Sequence, residues 1–125
     1  MIHDRDFVSD ARSMKVACRD NEARQRSIIS RLYYGAYHRL ASYADQAGYQ
    51  FRSGDNMGRH EHMVQFLVSA NHDNEEVVEA IEGFQTLRGR RIDADYKLSR
   101  SISFGDVEDS VTLAEHIIEV LDISE

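Results

Sequence analysis

Within Ser30-Arg31-Leu32-Tyr33-Tyr34-Gly35-Ala36-Tyr37-His38, an arginine and a histidine stand seven positions apart. At 3.6 residues per helical turn this is nearly two full turns, so Arg31, Tyr34 and His38 share one face, with Ser27 just before them. Ile29, Tyr33, Ala36 and Leu40 fall largely on the other side. A stripe of cation, phenol and imidazole has the chemistry to hold a phosphate and move a proton, since a guanidinium stays charged and an imidazole titrates near neutrality. The same spacing also arises on ordinary polar helix faces, with Tyr34 packing at the edge of a core. Spacing alone leaves both readings open.

A second cluster runs through Leu87-Arg88-Gly89-Arg90-Arg91-Ile92-Asp93-Ala94-Asp95-Tyr96-Lys97, with Arg100 soon after. Arg88, Arg90, Arg91, Lys97 and Arg100 make a basic concentration in a chain whose formal charge is −7. An anionic partner would bind here. Tyr96 offers a ring for a base or ribose while the cations meet phosphate, an arrangement suited to single-stranded RNA more than to a rigid duplex. The alternative is an internal network in which Asp93, Asp95 and the acids of the last helical segment neutralise these cations.

Other chemistries find less footing. His60 and His62 are two apart and point to different sides of a helix, and no carboxylate stands at the spacing of a zinc-hydrolase helix, so no metal site is expected. Gly83 and Gly89 lie within a helical pattern with no preceding strand, which is not a phosphate-binding loop. No serine or cysteine nucleophile has a recognisable local signature, and no cofactor is implied. The acidic balance gives no reason to expect a general duplex-DNA binder. Cys18 is the sole cysteine, which excludes an internal disulfide and suggests a buried small hydrophobe in a reducing cytoplasm. With no secretory leader pattern and no long apolar run, neither export nor a membrane span is expected.

The elements that must position these residues are helices. The 125 residues contain no proline, seven glycines and 42% hydrophobic residues, which fits one all-α domain over residues 1–125. Five helical segments are expected in an antiparallel bundle with short or moderate connections. The first, about Asp6 to Arg19, carries Phe7, Ala11, Met14 and Cys18 at helical spacing. The second runs from about Glu22 to Ala47 and stops at Gly48, where a left-handed cap is cheap. Residues 49 to 58 are polar and read as a loop. The third, about Arg59 to Ala70, carries Met63, Phe66 and Leu67, and gives way to the capping side chains of Asn71 to Asn74. The fourth starts near Glu75 with Val77, Val78, Ile81, Phe84 and Leu87 as its buried stripe, resumes at Ile92 and Tyr96, and has Gly89 as a candidate bend. The fifth, about Asp106 to Ile123, places Val107, Val111, Ala114, Ile118 and Leu121 on one face and acids on the other.

The nine residues from Ser30 to His38 resemble the helix signature of small prokaryotic HEPN-domain proteins: serine-arginine, paired tyrosines, a small residue, an aromatic and a histidine. His60 with Met63, Val64 and Leu67 resembles the family's histidine followed by an apolar helix. Leu87 to Tyr96 resembles its leucine-arginine segment ending in alanine-aspartate-tyrosine. The likeness spans about Glu22 to Arg100. It implies a HEPN-like helical bundle that forms homodimers. Many such proteins are metal-independent endoribonucleases of toxin–antitoxin or antiviral defence systems. Others bind RNA or a nucleotide, or partner a nucleotidyltransferase, without cutting.

In active members an arginine and a histidine separated by four to six residues form the catalytic pair. Arg31 and His38 meet that spacing, with Tyr34 between them, and the resemblance implies attack of a ribose 2′-hydroxyl on the adjacent phosphate. The chain departs from the pattern at two places. Leu32 is apolar where active members usually carry a polar residue. Their pair also tends to lie on the later helix, where this chain has Ala94 and no histidine. The resemblance thus implies either an enzyme or a non-catalytic module.

Overall fold

The computed structural model describes residues 21–50 and 59–122. These form four helices: α1 (Glu22–Gln46), α2 (Arg59–Ala70), α3 (Glu75–Tyr96) and α4 (Phe104–Val120). They match the second to fifth expected segments. The first segment, with Cys18, and most of the polar loop lie outside the described residues.

Local chemistry accounts for most helix ends. Asn21 caps α1 by accepting from the Arg24 N–H at 3.1 Å, and Asn74 caps α3 by accepting from the Val77 N–H at 3.3 Å. Ser103 and Asp106 form a reciprocal capping box at the start of α4. That box places the start of α4 at Phe104, two residues before the expected Asp106. At the end of α1, Gly48 takes φ +92°, and the N–H groups of Tyr49 and Gly48 donate to the carbonyls of Ala44 and Asp45. This paired closure suits a residue without a Cβ. α3 continues unbroken through Gly89.

All four helices contribute to one apolar core. Ile29, Tyr33, Ala36 and Leu40 of α1 are buried there with Met63 and Leu67 of α2, Ile81, Phe84 and Leu87 of α3, and Val107, Ala114 and Ile118 of α4. At the end of α3 the core position is Ala94. Tyr96, expected to resume the buried stripe, is 67% exposed. The stripe drifts around the helix, and the last turn of α3 carries Tyr96 past the rim of the core.

Contacts between elements give the chain direction. Arg26 of α1 meets Ala94, and Tyr34 meets Arg91, so α1 and α3 are antiparallel. Arg90 meets Ser110, and Gly83 lies against Leu113, so α3 and α4 are antiparallel as well. α1 and α2 run the same way, with Tyr33 against His60 and Tyr43 against Asn71. The long connection over residues 47–58 makes that return feasible, whereas the turn at residues 71–74 forces α2 and α3 into opposite directions. Among the described residues, no helix is long and apolar enough to cross a membrane.

Candidate functional site

α1 turns its expected polar stripe outward. Arg31 and His38 are exposed, Tyr34 is 42% exposed, and their neighbours Leu32, Tyr33 and Ala36 are buried. α1 therefore has one polar and one apolar face. Along its axis Arg31 and His38 are separated by roughly 10 Å, with Tyr34 between them.

Tyr34 joins this stripe to the basic segment of α3. Arg91 Nη2 donates to the Tyr34 hydroxyl at 3.3 Å and to the Tyr96 hydroxyl at 3.3 Å. Its guanidinium carbon lies 5.1 Å from the Tyr33 ring centre, 5.7 Å from that of Tyr34 and 5.1 Å from that of Tyr96. These are cation–π distances. Two groups separated by more than fifty positions in the chain thus form one surface, with Arg91 at the seam. Burial works against the Arg91 charge, but the hydrogen bond to Tyr34 and the proximity of Tyr34, Tyr96 and Asp95 outweigh it and hold the guanidinium more firmly protonated than usual.

Most cations of this segment have carboxylate partners within the chain. Arg90 pairs with Asp109 and donates to the Ser110 hydroxyl. Lys97 and Arg100 lie 3.7 and 3.6 Å from the carboxylate of Asp93. Arg91 Nε is 2.9 Å from Asp95 Oδ2. Arg88 is half-buried, and no ion pair is found for it among the described residues. The neutralising network is therefore present in the fold, and a bound polyanion would have to compete with it. Most of these pairs are exposed enough to exchange partners at small cost.

Comparison with protein-family models, curated proteins and known structures finds no match.

Beneath the surface, an aromatic stack fixes α1 against its neighbours. Tyr33 stacks on Phe84 at 5.6 Å and on Tyr37 at 6.1 Å, and its hydroxyl lies 2.9 Å from His60 Nδ1. Burial pushes the Tyr33 phenol up to about 12, against the opposing pull of Arg91 and Arg88. The ring of His38 meets the edge of Tyr37 at 6.3 Å, so the outer histidine rests on the same stack. His62 contacts the Tyr49 hydroxyl at 3.1 Å. Among the described residues, no three His, Cys, Asp or Glu side chains gather as a metal site.

Arg26 and Glu22 were not among the sequence candidates, yet they order the edge of this surface. Arg26 donates to the carbonyls of Asp93 and Ala94 at 2.9 and 3.0 Å, and to those of Leu98 and Arg100. Glu22 pairs with Arg26 at 3.0 Å and accepts from the Ile102 N–H at 3.1 Å. A cation therefore caps the C-terminal end of α3, sharing the Asp93 carbonyl with the Lys97 N–H. The i,i+4 spacing of Glu22 and Arg26 was a signal for the pair, but not for its carbonyl partners.

Proposed function

We propose that this chain is a HEPN-type RNA-acting protein whose substrate surface is the joined face of α1 and α3, with Arg31 and His38 as the catalytic pair. The observation that carries this reading is the Arg91 bridge to Tyr34. It makes the arginine-tyrosine-histidine stripe continuous with a basic, aromatic edge, where exposed Tyr34 and Tyr96 offer rings for unpaired bases. In the proposed reaction His38 takes the proton of a ribose 2′-hydroxyl as its oxygen attacks the neighbouring phosphorus. The P–O5′ bond breaks and the leaving oxygen takes a proton from water, leaving a 2′,3′-cyclic phosphate and a free 5′-hydroxyl. Arg31 stabilises the charge that builds on the phosphoryl oxygens, and Tyr34 lines the path between the two.

The resemblance also implies a homodimer, in which a second copy can complete the pair, and a toxin–antitoxin or antiviral setting. Cleavage of RNA by purified protein without added metal tests the reading. Wild type is expected to release 2′,3′-cyclic phosphate ends, and His38→Ala and Arg31→Ala to lose at least tenfold in rate while remaining folded. Equal cleavage by all three would remove the catalytic assignment.

A second reading is a non-catalytic HEPN module that binds a nucleotide or a nucleotidyltransferase. It is favoured by Leu32, which is fully buried and offers no polar group beside Arg31. RNA binding without cleavage in the same assay would select it.

A further inference from the structure

We infer that Ser30 and Arg91 form a socket for a single phosphate group of a nucleic-acid strand, and that the protein's own Asp95 carboxylate occupies it. The inference rests on the RNA reading above and specifies which part of that surface is built to receive an anion.

Two donors from different helices converge on one oxygen. Ser30 Oγ of α1 donates to Asp95 Oδ2 at 3.2 Å, and Arg91 Nε of α3 lies 2.9 Å from the same atom. The fit is incomplete on the arginine side. Arg91 Nε is buried and makes no aligned hydrogen bond among the described residues, although the carboxylate is close. Asp95 thus balances the charge without satisfying the N–H. Its approach is fixed by the helix, since it stands one turn from Arg91 on the same element. A buried donor left in this state favours any acceptor that can approach along the N–H direction.

A phosphate group has that freedom. It is not tethered to α3, and its several oxygens can accept from a hydroxyl and a guanidinium together. The guanidinium is already held in place, with the Tyr33, Tyr34 and Tyr96 rings around it and the hydroxyls of Tyr34 and Tyr96 taking the Nη2 hydrogens. Exposure of Tyr34 and Tyr96 gives a strand access to the rim. Binding exchanges one anion for another, so Asp95 acts as an internal competitor that weakens the affinity of the surface for phosphate. Arg90, by contrast, is committed to Asp109 and Ser110 of α4.

The test compares wild type, Asp95→Ala, Asp95→Asn, Asp95→Ala with Arg91→Lys, and a control Glu79→Gln, which removes an exposed acid roughly 24 Å along α3. A fluorescein-labelled dodecauridylate and inorganic phosphate serve as probes. Both single Asp95 variants are expected to bind the oligonucleotide about three- to fivefold more tightly than wild type. Glu79→Gln should not, and Arg91→Lys should cancel the gain. Where wild type binds the oligonucleotide, no gain in either Asp95 variant, or an equal gain in the control, overturns the socket. The Arg91 Nε–H resonance separates this inference from the RNA reading. In Asp95→Ala it should shift on adding inorganic phosphate; a shift without oligonucleotide binding would keep the socket and remove RNA as its ligand. A resonance that phosphate does not move overturns the socket.

Discussion

Tyr33 and Tyr34 are adjacent, but a helical step of about 100° turns the first into the core and the second toward solvent. The consequence is chemical. Buried Tyr33 titrates near 12 instead of 10.0, so above pH 10 the unfolded chain loses a proton that the folded chain keeps. Stability therefore falls as pH rises from about 10 to 12, with no such contribution below that window. Tyr33→Phe is expected to lose about 0.5–1.5 kcal/mol at pH 8, with its bond to His60. It should decline less than wild type at pH 11, as read by urea unfolding. At the outer face, His38→Ala should change stability by less than about 0.5 kcal/mol. Ile118→Ala, at a buried position of α4, should cost about 2–5 kcal/mol. Thermal melts of the two variants check which face each residue occupies. The outward stripe of Arg31, Tyr34 and His38 was legible because a seven-residue spacing fixes a helix face. The pairing of Arg91 with Tyr34 was not, because periodicity within one helix says nothing about which helix lies beside it.

At the scale of elements, several helix ends were readable from a capping side chain or a glycine. Gly48 closes α1 as its conformational freedom allows, and the Asn71 to Asn74 break separates α2 from α3. The start of α4 was read two residues late because the Ser103 and Asp106 box precedes the apolar stripe that announced the helix. The direction of α2 relative to α1 depends on tertiary contacts that no local pattern encodes. The Glu22 and Arg26 clasp was hidden for a related reason, since its main partners are backbone carbonyls. It leads to a prediction about the connection after α3. Arg26→Ala should speed hydrogen exchange of the amides from Leu98 to Ile102 while leaving the middle of α3 protected. The Ile102 N–H, followed by Arg26, holds the Glu22 carboxyl below its usual value of 4.5. A depressed folded value means that the contact stabilises above that usual value and is lost as pH falls through the folded one. Acid should therefore loosen this connection, read as a lower protection factor at the Ile102 amide after correction for the intrinsic slowing of exchange in acid.

For the whole molecule, a chain of net charge −7 gathers Arg91 and the exposed rings of Tyr34 and Tyr96 at the seam of α1 and α3, with further cations along α3. Internal carboxylates hold most of those cations, so RNA affinity is expected to be moderate and strongly salt-dependent. The all-α class followed from composition and helical periodicity. The contiguity of the two candidate clusters needed the fold. The most direct test of the proposed RNA surface is a titration of isotope-labelled protein with single-stranded oligouridylate, followed amide by amide at low and high salt. The account predicts shifts concentrated on residues 30–38 of α1 and 88–97 of α3, weakening as salt rises. No shifts, or shifts confined to the acidic face of α4, would contradict it.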